Sequence, residues 1–355
     1  MNAARRGARL VLYGATGFSG RLIAGRAREL GLAPTLAGRD AGSVGALARE
    51  LGCEARVAGL DDAAQRMAAL DGAAVVLNAA GPFAATSTPL VDACLARGAH
   101  YLDISGEVPA LAALARRSED AAARGVMIMP AVGFVVLPSD CLAAHVAHRL
   151  PDATSLTIAV SRTDALSRGS RRTILDQWGD TVAVRRAGVL TDVPVGTRER
   201  RVDFGRGARP AAAVSWGDVV TAFHTTGIPN VDAYLEVSPA ERALFRFNQR
   251  LSAVGGQAVL RRVLRVPETL LSEGPSAPQR AGATRVIVAE ARDAAGRVVR
   301  ARLTTPEAYD FTAAAALLVA QRVLRGDWRP GFQTPAGLYG PDLVLEIPGV
   351  VREDL

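Results

Sequence analysis

The stretch Arg9-Leu10-Val11-Leu12-Tyr13-Gly14-Ala15-Thr16-Gly17-Phe18-Ser19-Gly20 decides how this sequence folds. Five residues of buried-strand character run straight into three glycines, and a helical pattern follows over residues 18–30. Gly31 closes that pattern, and a second strand is expected over residues 34–37. Strand, glycine turn and helix open a βαβ unit in which a pyrophosphate lies against bare backbone at the helix N-terminus. Gly14, Thr16, Gly17, Phe18, Ser19 and Gly20 are therefore candidate cofactor-binding residues. The GxxGxxG spacing, in place of GxGxxG, argues for a Rossmann-like branch with a wider first turn.

The second strand runs out as Thr35-Leu36-Ala37-Gly38-Arg39-Asp40. An NAD-specific protein usually places a carboxylate there, on the ribose 2′-hydroxyl. Arg39 holds the position instead. A planar guanidinium stacks on adenine and forks onto a 2′-phosphate, so NADP(H) is the expected cofactor. A solvated loop arginine, with Asp40 on the ribose, is the competing reading.

Strand and helix signals go on alternating: a helix over 43–51, a strand over 54–58, a helix capped by Asp61 or Asp62, and a buried strand over 73–78. A helix opened by Thr88-Pro89 follows, then a strand over 100–104, a helix over 109–124 and a strand over 126–130. Such alternation specifies a Rossmann-like, doubly wound parallel sheet in an α/β class, with chemistry at the carboxyl ends of the strands. After Pro151 the pattern changes. Residues 154–162 alternate as a strand, and 284–291 with 298–304 read as a hairpin. Between them lie a helix expected near 172–187 and a basic amphipathic segment over 240–264. The expected organisation is a dinucleotide-binding domain over 1–150, an α+β substrate and dimerisation domain over 151–305, and a C-terminal helix and tail over 306–355 returning to the first domain.

At 355 residues and 49% hydrophobic content the chain has room for two cores. No apolar run is long enough to span a bilayer, and after Arg5 and Arg6 the apolar stretch is only a strand long, so no secretory leader is expected. Cys53, Cys94 and Cys141 lack metal-ligand spacing and read as reduced cysteines of a cytoplasmic protein. No metal site is expected. The sequence holds no lysine, so its 42 basic residues are all arginine. That excludes a Tyr-x-x-x-Lys dyad, a Schiff-base lysine and a lysine general base. The net charge of +7 invites nucleic acid or an anionic membrane. The arginines are dispersed, however, and no nucleic-acid motif occurs, so nucleic acid is not an expected partner.

Other candidates cluster where strands end. Asn78, Ala80, Gly81 and Pro82 follow the fourth strand, and small residues there let backbone approach a nucleotide, while Asn78 either offers an amide to ribose or carboxamide or is a strand-end asparagine satisfied within the protein. Tyr101, Asp103, Ser105 and Glu107 follow the fifth, a set of donors and carboxylates suited to acid chemistry or helix capping. Gly133 and Phe134 follow the sixth and are expected against the nicotinamide, with Ser139 or Asp140 capping the next helix. In the second half, Trp216-Gly217-Asp218 and His224 through Asn230 make the densest polar and aromatic patch, and His224 is a candidate proton donor.

Taken in series, GATGFSG, LAGR, NAAGPF, YLDISGE, PAVGF, SWGDVVTAFHTTGIPN and TPAGLYGPDLVLEIPG resemble the saccharopine dehydrogenase-like oxidoreductases, and within them the trans-acting enoyl reductases that assist polyketide synthases in lipid assembly. The resemblance implies NADP(H), a substrate domain inserted before a returning C-terminal helix, and a homodimer. It implies reduction of an activated double bond on a carrier-bound acyl thioester, with Tyr101, Ser105 and His224 as candidates for stabilising the enolate and delivering the proton, and Asp103 and Glu107 orienting them. A saccharopine-type lysine mechanism does not carry over. Where the family pattern leads one to expect a smaller turn, residues 167–173 read SRGSRRT, and Arg168, Arg171 and Arg172 suit a second reading, reduction of an imine of an amino-acid conjugate. A third is a non-catalytic nucleotide-sensing protein that meets a lipid surface through residues 240–264.

Overall fold

In a computed structural model, which describes residues 9–162, 166–171, 181–243 and 273–355, the chain divides into two compact units. One comprises residues 1–137 with 309–338; the other comprises 138–308 with 339–355. The first boundary thus falls at the start of the helix Leu137–Arg149 rather than at its end, and residues 339–355 group with the second unit rather than the first.

The first unit alternates β1 (Arg9–Tyr13), α1 (Phe18–Glu29), β2 (Thr35–Gly38), α2 (Ala41–Leu51), β3 (Ala55–Val57), α3 (Ala63–Ala69), β4 (Ala73–Asn78), α4 (Phe83–Arg97), β5 (His100–Asp103), α5 (Val108–Ala115), α6 (Ser118–Ala123) and β6 (Met127–Met129). The strands pair in parallel, in the order β6-β5-β4-β1-β2-β3, with the short strand Gly331–Phe332 added beside β6. Strands covered on both faces read as unbroken apolar runs rather than alternations, which is why Leu10 to Tyr13 and Val75 to Leu77 are buried throughout. The chain leaves β1 toward β2, then crosses to β4 on the other side. That reversal is the switch point at which such sheets bind ligands. Most of the helix Ala308–Leu324 belongs to this unit, and buries Phe311, Ala315, Ala316, Leu317 and Val319.

The second unit is built on a mixed sheet, in the order Glu199–Asp203, Ala208–Ala213, Asn230–Glu236, Ala153–Val160, Thr284–Asp293, Val298–Pro306, Val351–Asp354. Asn230–Glu236 and Ala153–Val160 run parallel, and the hairpin read from the sequence is present as Thr284–Asp293 against Val298–Pro306. The helix Asp218–Thr226 is the second unit's counterpart to the polar patch noted above.

Several local expectations are corrected. Residues 181–186 of the helix expected near 172–187 form a strand paired antiparallel with Val189–Pro194, because Thr, Val and Val alternate there as a half-buried strand does; residues 172–180 lie outside the described set. Of the amphipathic segment 240–264, only residues 240–243 are described. The helix over 109–124 is two shorter ones, α5 and α6. The helix after β4 opens at Phe83, five residues before Thr88, and carries Pro89 inside it. Asp140 sits in the first turn of Leu137–Arg149, with its carboxylate accepting from Thr225 Oγ at 2.6 Å rather than serving as that helix's N-cap.

Candidate functional site

The glycine turn after β1 separates three glycines by what a side chain would meet. Gly14 has φ +79°, and a Cβ there would lie 2.7 Å from the Ala80 nitrogen, where the β1 and β4 loops touch. A Cβ on Gly20 would sit 2.2 Å from the Gly14 carbonyl oxygen, so α1 closes onto the turn only without one. Gly17 differs. Its backbone is extended (φ −70°, ψ 166°), it is exposed, and the atom nearest to an added methyl group would be 3.4 Å away. Nothing among the described residues requires glycine at 17. What remains is room for something outside the protein.

The helix beginning there is prepared for an anion. Among the first four helices, three have N-termini served by a carboxylate of this chain. Asp40 accepts the Ser43 N–H at 2.8 Å, Asp62 accepts those of Ala64 and Gln65 at 2.8 and 3.1 Å, and Glu107 accepts those of Phe83 and Ala84 at 2.9 and 2.8 Å. By contrast α1 has neither a side-chain cap nor an acid in its first turn, and carries Arg26 and Arg28 at its far end. The positive end of its dipole thus has no carboxylate in its own first turn, a setting that suits an anion. Thr16 and Ser19, both partly buried, complete the turn, and Thr16 is fixed by its carbonyl oxygen accepting Arg21 Nε at 3.0 Å. Phe18 packs edge-on against Tyr309, with ring centroids 4.9 Å apart.

Arg39 is exposed at the end of β2, and because Asp40 is engaged as the α2 cap, the carboxylate expected to compete for ribose is already in use. The hydrogen bond to Ser43 holds the Asp40 carboxyl below the usual carboxylate range.

The strand-end residues of β4, β5 and β6 are tied into one buried network. Asn78 Nδ2 donates to Tyr101 Oη and to Thr86 Oγ, both at 3.1 Å, and its Oδ1 accepts the Ala80 N–H at 2.9 Å. Tyr101 donates to Asp103 at 2.9 Å, and Asp103 also accepts the N–H groups of Ser105 at 2.9 Å and Ala131 at 2.8 Å. Asn78, Tyr101 and Asp103 are completely buried. Burial raises the Asp103 carboxyl, and burial together with that carboxylate raises the Tyr101 phenol well above its usual value. These are corrections to the sequence reading. The Asn78 and Asp103 side chains are spent inside the protein rather than held out to a cofactor, and Tyr101 is sealed away from any substrate. Their work is to place Ala80, Gly81 and Pro82 and to hold Ala131 at φ +62°, a strained conformation for a residue with a Cβ.

Gly133 and Phe134 are corrected in the same way. A Cβ on Gly133 would meet Thr312 Cγ2 at 3.0 Å, while the Phe134 N–H donates to Thr312 Oγ at 3.0 Å and its ring lies edge-on to Phe311. Both residues serve the returning helix. Glu107 holds α4 rather than orienting an acid. Ser105 is left with a chemical option: its hydroxyl is buried with no hydrogen-bond partner of good geometry, although it lies near enough to lower the Asp103 carboxyl. Sequence reading missed Gly106, where a Cβ would fall 2.1 Å from Val135 Cγ1. A glycine directly after the candidate Ser105 was the available signal.

His224 belongs to the second unit, in the last turn of Asp218–Thr226. Desolvation, and then the nearby Arg185, lower its pKa, so the imidazole is neutral at pH 7. Arg185 is itself buried, stacked over the Phe223 ring at 4.2 Å and donating to the carbonyls of Val219 and Gly188 at 2.7 and 2.6 Å. At the other end of this helix Asp218 is completely buried, and burial pushes its carboxyl well up, with Ser139 beside it opposing. Of the arginines at the 167–173 turn, Arg168 lies 4.0 Å from Glu273, and Arg172 is outside the described residues. Among the described residues no His, Cys, Asp and Glu cluster could hold a metal, and no helix is long and apolar enough to cross a membrane.

Comparison with known proteins agrees with this geometry. Residues 10–129 match the family model of the saccharopine dehydrogenase NADP binding domain. A trans-acting enoyl reductase of Mycobacterium tuberculosis (strain ATCC 25618 / H37Rv) is 38% identical over 152 residues, 39% of this chain and 35% of its own length. One from Mycobacterium ulcerans (strain Agy99) is 35% identical over 161 residues, 42% of this chain and 38% of its own. The matched region is thus little more than a third of those relatives. Saccharopine dehydrogenase (L-Glu forming) from Saccharomyces cerevisiae, in its apo form, superposes over 98% of this chain and 100% of that one with a TM-score of 0.66 at 12% identity, and so has the same fold.

Proposed function

We propose, for a chain whose residues 10–129 form a saccharopine dehydrogenase NADP binding domain, that it is an NADPH-dependent reductase of an activated carbon–carbon double bond, with an enoyl thioester on a carrier of a polyketide synthase as substrate. The observation that carries the cofactor half is the first turn of α1, without an acid of its own, beside Gly17, the one glycine of the turn where an added Cβ would meet no atom closer than 3.4 Å. NADPH, when bound, supplies hydride to the electron-poor β-carbon. The chain's own task is to hold the pyrophosphate on the α1 N–H groups, meet the 2′-phosphate with Arg39, and offer donors where charge develops on the thioester oxygen.

Ser105 suits that last role, with a buried hydroxyl that has no hydrogen-bond partner of good geometry and a backbone pinned by Asp103. His224, neutral near pH 7, is a donor on one ring nitrogen and an acceptor on the other, suited to passing a proton toward the α-carbon. The enoyl half of the proposal is supported by the mycobacterial relatives, which carry the name trans-acting enoyl reductase. An acyl pocket is supported by the apolar Trp216, Phe223 and Ile228 along the polar and aromatic stretch of the second unit, which suit an extended chain better than a dicarboxylic imine.

The test is purified protein with NADPH and a medium or long 2-enoyl thioester, preferably carrier-bound. Absorbance should show NADPH consumed, and mass spectrometry should show the acyl chain heavier by two hydrogens. Reduction of a ketoacid and amine mixture, with enoyl thioesters untouched, would replace this reading with imine reduction. Tight NADPH binding without turnover of either would favour a nucleotide sensor.

A further inference from the structure

We propose, resting on the NADP reading above, that Arg66 is a second guanidinium for the cofactor's 2′-phosphate, joining Arg39 at the carboxyl ends of β1, β2 and β3. The three strands finish together. Tyr13 lies beside Ala37, and Gly38 lies beside Val57. The Ala58 N–H donates to the Gly38 carbonyl at 2.9 Å, and the Tyr13 hydroxyl donates to the Ala58 carbonyl at 3.0 Å. Arg39 is the next residue after Gly38. Arg66 starts from α3, but its Nη1 donates to the Leu60 carbonyl, two residues beyond Ala58. That bond brings the guanidinium back from the helix to the strand ends where Arg39 begins.

Their charges meet at one place. Burial raises the Tyr13 phenol, whereas Arg39 and Arg66 both lower it and Asp61 opposes them. Two cations acting on one phenol repel each other, and among the described residues neither Arg39 nor Arg66 forms an ion pair. The Arg66 Nε is buried without a hydrogen-bond partner. A buried guanidinium N–H left unmet is costly, and it is relieved by an acceptor from outside. A phosphate monoester dianion has the oxygens and the charge to bridge two such forks, and a ribose 2′-hydroxyl has neither. Arg66 is thereby assigned as a specificity residue, separate from the turn that holds pyrophosphate.

Calorimetric titration of the full chain against NADPH, NADH, 2′,5′-ADP and 5′-AMP tests this. Arg66→Gln should weaken NADPH and 2′,5′-ADP by roughly tenfold or more, as expected for one charge-assisted contact, with NADH and 5′-AMP unchanged. Arg66→Lys should recover part of the loss, since it keeps the charge without the fork. The double variant with Arg39→Ala should bind NADPH more weakly than either single variant. Equal losses for NADPH and NADH would mean that Arg66 serves adenine or the fold, and would overturn the assignment. So would an NADPH preference that survives Arg66→Gln intact. Wild-type protein with no preference for NADPH over NADH would instead refute the cofactor reading itself.

Discussion

Replacing Gly17 and Gly20 by alanine, one at a time, should separate a glycine kept for a ligand from one kept for the fold. At Gly17 the backbone is one that alanine adopts without strain, and the added methyl has 3.4 Å to its nearest neighbour. Lower unfolded-state entropy stabilises the variant by about 0.4–1 kcal/mol. The poorer N-cap character of alanine works against this by a similar amount. The net effect on stability should stay within about 0.5 kcal/mol, or roughly 1–2 °C in thermal midpoint. Affinity should fall much further. The methyl stands on the exposed side of the turn, where a pyrophosphate approaches, and one such overlap costs about 1–3 kcal/mol, or roughly five- to 150-fold, for NADPH and NADH alike. Gly20→Ala should do the reverse. Its methyl would be driven to 2.2 Å from the Gly14 carbonyl oxygen and 2.9 Å from Ala15 backbone atoms, none of them the end of a flexible side chain. Overpacking of that kind costs about 1–3 kcal/mol or more, so the midpoint should drop by several degrees. Thermal unfolding without ligand and calorimetric titration with both cofactors read the two effects independently. A Gly17→Ala protein that binds NADPH as tightly as wild type would refute the reasoning, and so would a Gly20→Ala protein as stable as wild type.

Tyr101→Phe removes the hydroxyl between Asn78 and Asp103 and should destabilise the first unit by about 1–3 kcal/mol, while the folded variant keeps its turnover; a stable but inactive variant would restore Tyr101 as a catalytic residue. Ser105→Ala and His224→Ala should each slow turnover, by roughly 10²–10⁴-fold if the residue transfers the proton, with NADPH affinity unchanged. Full activity in both variants would remove both residues from that role. Asp218 has its folded-state pKa raised by burial, so the stability it contributes is fully present below the unfolded value near 3.9 and is lost as pH rises through the folded value. Asp218→Asn should therefore raise the thermal midpoint at pH 8, with the gain vanishing near pH 4. A gain independent of pH would count against an ionising Asp218.

The parts legible in the sequence are those fixed by neighbours along the chain. Strand β1, the glycine turn, helix α1 and the succession of units up to β6 follow from local periodicity and turn chemistry, and so does the hairpin around residues 293–296. What the sequence leaves ambiguous depends on partners far along the chain. Glu107 looks like an acid for chemistry until α4 brings the Phe83 and Ala84 N–H groups to it from more than twenty residues away. Asn78 has the right chemistry for a ribose and the right position for it. Only the Tyr101 hydroxyl and the Ala80 N–H show that its amide is used up. Gly133 stands out in the sequence as a place for bare backbone, and the crowding at it comes from Thr312, almost 180 residues later. Residues 181–186 are a short stretch that suits a helix as well as a strand, and the partner Val189–Pro194 decides between them.

The Asp103 carboxylate also bears on when the site becomes ordered. By gathering donors from Tyr101, Ser105 and Ala131 it fixes two loops that would otherwise sample many conformations. Immobilising one residue's backbone takes about 1–2 kcal/mol of entropy. Because the donors to this buried carboxylate all come from the chain itself, that entropy is surrendered during folding and not at each encounter with substrate, leaving the strand ends set in advance of binding. Amide protons of Ser105 and Ala131 should accordingly exchange with solvent as slowly as those of the neighbouring strands, although both residues lie in loops.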